Sequence, residues 1–511
     1  MATNASNTLY ASLRTLPVQL PQQITGGNIW YTAGAVVASL LVLEQVVYRS
    51  KKGHLPGPAW TIPLIGKFMD SRFPTLEKYI SSWNRGALSA VSVFNIFIVM
   101  SSTNEFSRRI FNSPKYTEPC LVASAKQVLC PDNWVFLNGK AHVQYRRMLN
   151  TLFTRKALGL YLQIQDGITR QHFARWLTEC SLKTDPITLM KPIRDLNMHT
   201  SLRVFCGFHI PDHAIATITE KYWVITKALQ LVNFPLAIPG TATYRAIQSR
   251  KEAMKWLQAA AASSKRAMAE GKEPECLLDA WVVEMNEALK QGKLDREEFS
   301  DREMALVVLS FLFASQDAMS SGIIFFLQNM ADYPDVMAKI REEQIRVRGG
   351  NLDAPMTLEM LDSMPYIKAC VKETLRLRPP VTMVPYLATQ PFPIASDYTV
   401  PKGTIIIPSI YPSVMDEETY PSPESFLPDR WLDPESRANT NPQQYLVFGS
   451  GPHKCIGIEY ATMHMAVVAG NAAVLMDWTH HRTAESDKTE MIATIFPKDG
   501  CRVTFRPRQH D

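Results

Sequence analysis

Ten residues toward the carboxyl end, Phe448-Gly-Ser-Gly-Pro-His-Lys-Cys-Ile-Gly457, place a lone cysteine in a glycine-rich loop. No second cysteine or histidine stands at zinc spacing around Cys455, and a helix-like run over Glu459–Met476 follows it. This pattern suits a sulfur that ligates a haem iron. Phe448 can pack on the sulfur side of a macrocycle, and Gly451 and Gly457 let the backbone turn and approach a flat ring that a side chain would obstruct. Backbone N–H groups at the start of the following helix favour the thiolate. A thiolate in turn pushes electron density onto iron and favours O–O cleavage. A buried free cysteine beside a glycine turn is the ordinary alternative, but four fixed positions around one sulfur rarely coincide by chance.

Glu373-Thr-Leu-Arg376 supplies a second constellation, because helix positions three apart put the carboxylate and the guanidinium on one face. Alone, such a pair reads as solvated helix surface. Here it is followed by Arg378-Pro379-Pro380 and then by Pro423-Glu-Ser-Phe-Leu-Pro-Asp-Arg430-Trp431. With the loop pattern Phe-x-x-Gly-x-(Arg/His)-x-Cys-x-Gly, in which His453 takes the basic position, the chain resembles the cytochrome P450 family. The resemblance covers nearly everything after the amino-terminal segment. It implies a mainly α fold with small β-sheets (α+β) in one large catalytic domain. It also implies a haem b whose axial metal ligand is the Cys455 thiolate, with Phe448, Gly451 and Gly457 around it. Arg430 would join Glu373 and Arg376 in a buried network bracing the cysteine loop. Three charges can be buried only when paired and hydrogen-bonded, which assigns these three to structure.

His142-Val-Gln-Tyr-Arg146-Arg147 falls where relatives have Trp-x-x-x-Arg. Residues i and i+4 share a helix face, so His142 and Arg146 can both reach haem propionates, with His453 as a third candidate. Tyr386 stands where many relatives have an arginine; its phenol donates one hydrogen bond and carries no charge. The stretch Leu309-Ser-Phe-Leu-Phe-Ala-Ser-Gln-Asp-Ala-Met-Ser320 lies inside an apolar helix expected over 302–330. Polar residues in such surroundings are costly without partners. The stretch resembles the family's oxygen-binding helix, Ala-Gly-x-(Asp/Glu)-Thr-Thr. Asp317 takes the acidic position, Ser315 that of the glycine and Ala318 that of the first threonine. With that threonine replaced, the resemblance implies proton delivery through water from Asp317, Ser315, Gln316 or Ser320.

Phe313-Ala-Ser-Gln-Asp-Ala318 is similar to the same helix in the sterol C-22 desaturases of fungi and plants, and 139–147, 379–386 and 493–497 fit that subfamily. What this implies is removal of two hydrogens from a sterol side chain, leaving a double bond between C-22 and C-23 on the route to ergosterol-like products. Apolar residues such as Leu312, Phe313, Val381, Met383 and Ile495 would set the position of the sterol. No glycine-rich dinucleotide fingerprint occurs, so the electrons come from a partner. The resemblance implies NADPH–cytochrome P450 reductase, with cytochrome b5 as a further donor. A broad microsomal hydroxylase of another lipophilic substrate and a non-catalytic haem-binding protein share the haem motifs and are the alternatives.

The elements that must hold these groups are helical for the most part. A strand pair is expected over 87–101, divided at Asn95. Helices are expected over 140–153, 158–178 and 192–205, and solvated amphipathic helices over 249–289. Thr399-Val400 and 404–407 read as two short strands around a Pro-Lys-Gly turn. The 511 residues, 46% hydrophobic, suffice for a large core, and a net charge of +6 without a basic block argues against nucleic acid. A basic face meeting an acidic redox partner accounts for that charge. Eight scattered cysteines suit a reducing compartment. Residues 1–28 form a polar lead and 29–48 an apolar run just long enough to cross a bilayer, with a helix lying in the interface as the alternative. Trp30, Tyr31 and Tyr48 are expected at the interfaces. Residues 49–60 form a basic, proline-rich hinge and 61–511 the catalytic domain. Arg49, Lys51 and Lys52 after the run place that domain on the cytosolic side, which fits a single-pass protein of the endoplasmic reticulum.

Overall fold

The computed structural model describes residues 26–67, 74–121, 124–182, 185–229, 236–292, 299–491 and 494–509; Ala493 of the desaturase-like motif lies outside them. Phe94 and Asn95 both take positive φ, 49° and 61°. This is the mirror-type two-residue turn whose twist matches that of flanking strands. It joins β1 (Leu88–Val93) to β2 (Ile96–Ser101), and with β3 (Thr117–Pro119), β4 (Tyr386–Ala388) and β5 (Ile405–Ile407) they form one sheet. Its order is β1-β2-β5-β4-β3, with β5 parallel to β2 and the other pairs antiparallel. Thr399-Val400 does not pair with β5; it pairs with Phe392-Pro393 instead. The consecutive isoleucines of β5 suit a central strand, whereas Thr399 is exposed.

The helices that concern the site are α1 (Gly26–Lys52), α2 (Gly139–Asn150), α3 (Arg155–Leu182), α4 (Met190–Cys206), α5 (Asp212–Ala228), α6 (Ala242–Ala269), α7 (Leu277–Lys290), α8 (Asp301–Asp332), α9 (Pro365–Leu377) and α10 (Ile458–Leu475). The span expected to be solvated, 249–289, is half core. Ala253, Leu257, Ala260 and Ala261 of α6 are buried, and the three alanines allow close helix contact. α8 starts at a capping box in which Ser300 and Glu303 satisfy each other's backbone N–H groups. It runs through the core beside α4 and α10.

α1 continues through Arg49, Lys51 and Lys52, so these cations end the helix and the chain turns only at Gly53. Its segment from Trp30 to Lys52 is long and apolar enough to cross a membrane. Trp30 and Tyr31 are exposed. Tyr48 corrects the interfacial expectation: it is buried, its Oη donates to Pro58 O at 3.0 Å, and its ring meets Phe97 edge-on. A partner was available for both the phenol and the ring, so Tyr48 ties the end of α1 to Pro58 and to β2.

Candidate active site

The cysteine loop is held by its own backbone and by a neighbour. Cys455 N donates to Phe448 O at 2.9 Å. Gly449 and Gly451 carry the turn with φ of 70° and 73°. A Cβ on Gly451 would stand 2.3 Å from Phe111 O, so only glycine fits there. Gly457 differs from the sequence expectation: its φ of −93° suits any residue, and a Cβ would meet nothing within 4 Å. Its N–H serves instead, donating to the Cys455 sulfur at the start of α10. Burial pushes the Cys455 thiol up, opposed by that N–H and by the Arg146 and Lys454 charges. Cys455 is nonetheless exposed as a residue.

A column of rings runs from this loop to α8. His453 and His142 stack with centroids 3.9 Å apart, Trp134 lies parallel to His142 at 6.3 Å, and Phe311 meets Trp134 edge-on at 6.2 Å. Trp134 Nε1 donates to Ser310 Oγ at 2.7 Å. Arg146 reaches the loop itself and donates to Lys454 O. His142, Arg146 and His453 therefore do come together, while Arg147 is exposed. Burial lowers the His142 pKa and pushes that of His453 down to about 4, so Arg146 is the charged member near neutral pH. Tyr386 lies apart from this group, buried in the sheet with its ring edge-on to Phe111 at 5.5 Å.

α8 is buried along nearly its whole length except at one patch. Ala314 is exposed, and Phe313, Ser315 and Ala318 are half-buried. Ala314 and Ala318, one turn apart, thus form a smooth accessible face. The polar neighbours turn toward other helices. Asp317 is buried, paired with Arg194 of α4, and accepts from Thr226 Oγ1 of α5 at 2.8 Å. Arg194 also lies over the Trp223 ring at 4.2 Å. Gln316 Nε2 donates to Arg194 O at 2.8 Å, Ser315 and Ser201 hydroxyls lie 3.3 Å apart, and Ser320 accepts from Asn197 Nδ2 at 2.8 Å. Leu312 and Ile495 are fully buried and Met383 nearly so, leaving Phe313 and Val381 as the accessible apolar candidates.

Glu373, Arg376 and Arg430 meet as the motif spacing suggests. Arg376 grips Glu373 with two hydrogen bonds of 2.9 Å, and Arg430 Nε donates at 3.1 Å. Arg376 spends its other protons on the carbonyls of Val414, Pro423 and Ser425, which pins the segment ahead of the cysteine loop. Trp431 Nε1, at 2.9 Å from Glu373, is a further donor that motif reasoning missed. Trp134, Arg194 and Thr226 were missed too. Their partners lie far off in sequence, and no local pattern marks them.

These residues fit a flat, dianionic iron macrocycle. The exposed Cys455, the side-chain-free turn at Gly451, the Arg146 cation and the smooth face of α8 are its requirements. Against the loop a cleft of about 760 Å³ is bordered by Phe448, Lys454, Arg155, Asp362, Lys368 and Lys372.

Residues 95–497 match the family model described as Cytochrome P450. The chain is 42% identical to the C-22 sterol desaturase erg5 of Aspergillus fumigatus, covering 93% of this chain and 94% of that protein. It is 41% identical to the cytochrome P450 monooxygenase oblE of Emericella variicolor, covering 94% and 93%. Among solved structures, a retinoic acid bound cyanobacterial CYP120A1 superposes with a TM-score of 0.74 at 21% identity, over 88% of this chain and 98% of that one, a likeness of fold alone. The chain is an oxidoreductase with haem-thiolate chemistry and belongs to the cytochrome P450 family.

Proposed function

We propose that this protein is a sterol C-22 desaturase. The observation that carries the reading is its 42% identity to such an enzyme over nearly its whole length. The smooth face at Ala314 and Ala318 supports it, because a helix without the usual threonine hydroxyl suits an altered handling of protons. Cys455 is the proposed axial ligand, and Arg146, His142 and His453 the groups that hold the propionates. Tyr386, buried against Phe111, would act on them only through its neighbours. Bound haem supplies activation of O2 with electrons from NADPH. The residues of the chain do the rest. Phe313 and Val381 orient the sterol side chain by apolar contact. Ala318 excludes a hydroxyl from the face where oxygen is handled. Asp317 holds a carboxylate behind that face, paired with Arg194 and Thr226, and Ser315 and Gln316 carry protons toward the face through water. Glu373, Arg376 and Arg430 keep the cysteine loop in place.

The cleft beside the loop is lined by Arg108, Arg155, Lys368, Lys372 and Lys454 against Asp362 and Glu459, a positive balance that would receive an acidic donor face. This suits NADPH–cytochrome P450 reductase, with cytochrome b5 as a further donor. The turn at Gly53 supports a division in which residues 61–511 form a cytosolic catalytic unit, 49–60 a hinge and 29–48 a single-pass anchor in the endoplasmic reticulum, within reach of membrane sterols. Hydroxylation of another lipophilic substrate is the second reading, favoured by the 41% identity to a relative named only as a monooxygenase. Full-length holoenzyme, reductase, NADPH and a C-22-saturated sterol decide between them. A product two hydrogens lighter supports desaturation, and one an oxygen heavier supports the alternative.

A further inference from the structure

The junction of α3, α4, α8 and α10 is polar beyond what the site above uses. One hydrogen-bonded line through it is closed. His464 Nε2 lies 3.0 Å from Asn197 Oδ1, Asn197 Nδ2 donates to Ser320 Oγ at 2.8 Å, and Ser320 donates to Gln316 O at 2.5 Å. A second line, one turn along α4 and α10, is broken. Ser315 and Ser201 hydroxyls lie 3.3 Å apart. Burial raises the pKa of the Tyr460 phenol, and Ser201 and Gln165 lie close enough to lower it as hydrogen-bond partners. Yet neither Tyr460 Oη nor either amide atom of Gln165 completes a well-aligned direct hydrogen bond. His464 Nδ1 is bare as well, because Nε2 must carry the proton given to Asn197. All of these side chains except Ser315 are buried.

An unmet buried polar atom costs about 1–3 kcal/mol. Several of them in one junction mark a place where ordered water completes the hydrogen bonding. The carboxylate of Asp317 is meanwhile occupied by Arg194 and Thr226. Ser315 is the hydroxyl of that turn that is partly open. We propose that the Gln165–Tyr460–Ser201 junction binds a short water chain and relays protons through Ser315 to the accessible face of α8. This rests on the reading of that face as the oxygen site. Taking one hydrogen from each of C-22 and C-23 while reducing O2 to two waters consumes two electrons from the reductase and two protons from solvent. Each hydroxyl of the line gives one proton forward as it accepts another, so none keeps a charge. Exchange with solvent refills the junction between turnovers.

Two measurements test the relay. A crystal structure of the holoenzyme should show ordered water within hydrogen-bonding distance of Tyr460 Oη and the Gln165 amide; a dry junction would overturn the proposal. Tyr460→Phe keeps the ring contacts with Tyr161 and Phe205, and Ser201→Ala removes a single hydroxyl. In both, haem content and the ferrous–CO band should match wild type. Product per NADPH should fall several-fold, peroxide release should rise, and the solvent deuterium isotope effect on NADPH oxidation should change. Wild-type coupling and isotope effect in both variants would also overturn it. If wild type makes no C-22 alkene, the desaturase reading fails by itself, because waters and coupling can be read with any substrate that is oxidised.

Discussion

Glu373 and Asp317 are both carboxylates buried beside guanidinium groups, and they are finished in opposite ways. Glu373 accepts from Arg376 twice, from Arg430, from Trp431 and from Leu427 N, so both oxygens are fully used. Asp317 accepts from Arg194 and Thr226 alone, and unmet polar atoms lie on the turns around it. A saturated network has nothing left to exchange and fixes geometry. An unsaturated one retains capacity for water and protons. The difference separates the brace of the cysteine loop from the machinery proposed on α8.

Glu373→Ala should strain the comparison hardest. It strands two buried guanidinium groups, a loss of roughly 3–5 kcal/mol. Haem retention after purification and thermal unfolding should both collapse; a stable, haem-replete variant would undo the bracing role. Asp317→Asn should act the other way round, lowering turnover by about 100-fold, the lower range for a lost acid–base group. Its ferrous–CO spectrum should survive, because Thr226 and Trp223 still support the site. Unchanged turnover would remove Asp317 from the proton path. Trp431→Phe withdraws one donor from Glu373 and should cost about 1.5–3 kcal/mol in denaturant unfolding, with product per NADPH unaltered. The smallest effect belongs to His464, whose pKa burial depresses from 6.5 to about 3. As pH falls below 6.5 the unfolded chain takes up a proton that the folded chain refuses, so this contribution is full above that pH and declines toward 3. His464→Gln should flatten the acid slope of stability by up to one proton across that window; parallel curves would mean that His464 titrates normally.

Local spacing carried much of this into the sequence. The Cys455 loop, the Glu373/Arg376 pair and the β1–β2 turn are legible because their parts lie within a few residues, where backbone geometry decides the contacts. Arg194, Thr226 and Trp134 are not, since each resembles any polar or aromatic residue on an amphipathic segment until folding brings its partner close. Tyr48 shows the reverse failure: an aromatic at the end of an apolar run fits a membrane interface, yet Pro58 and Phe97 gave it a better place. Gly457 was expected to supply conformational freedom and supplies an N–H, with Gly449 taking the turn.

The most direct test uses a C-22-saturated sterol deuterated at C-22 and C-23, turned over by the full-length holoenzyme with reductase and NADPH. The account predicts a product that has lost one label from each carbon and gained no oxygen. A product that has lost a label from at most one of the two carbons and carries a new hydroxyl would contradict it.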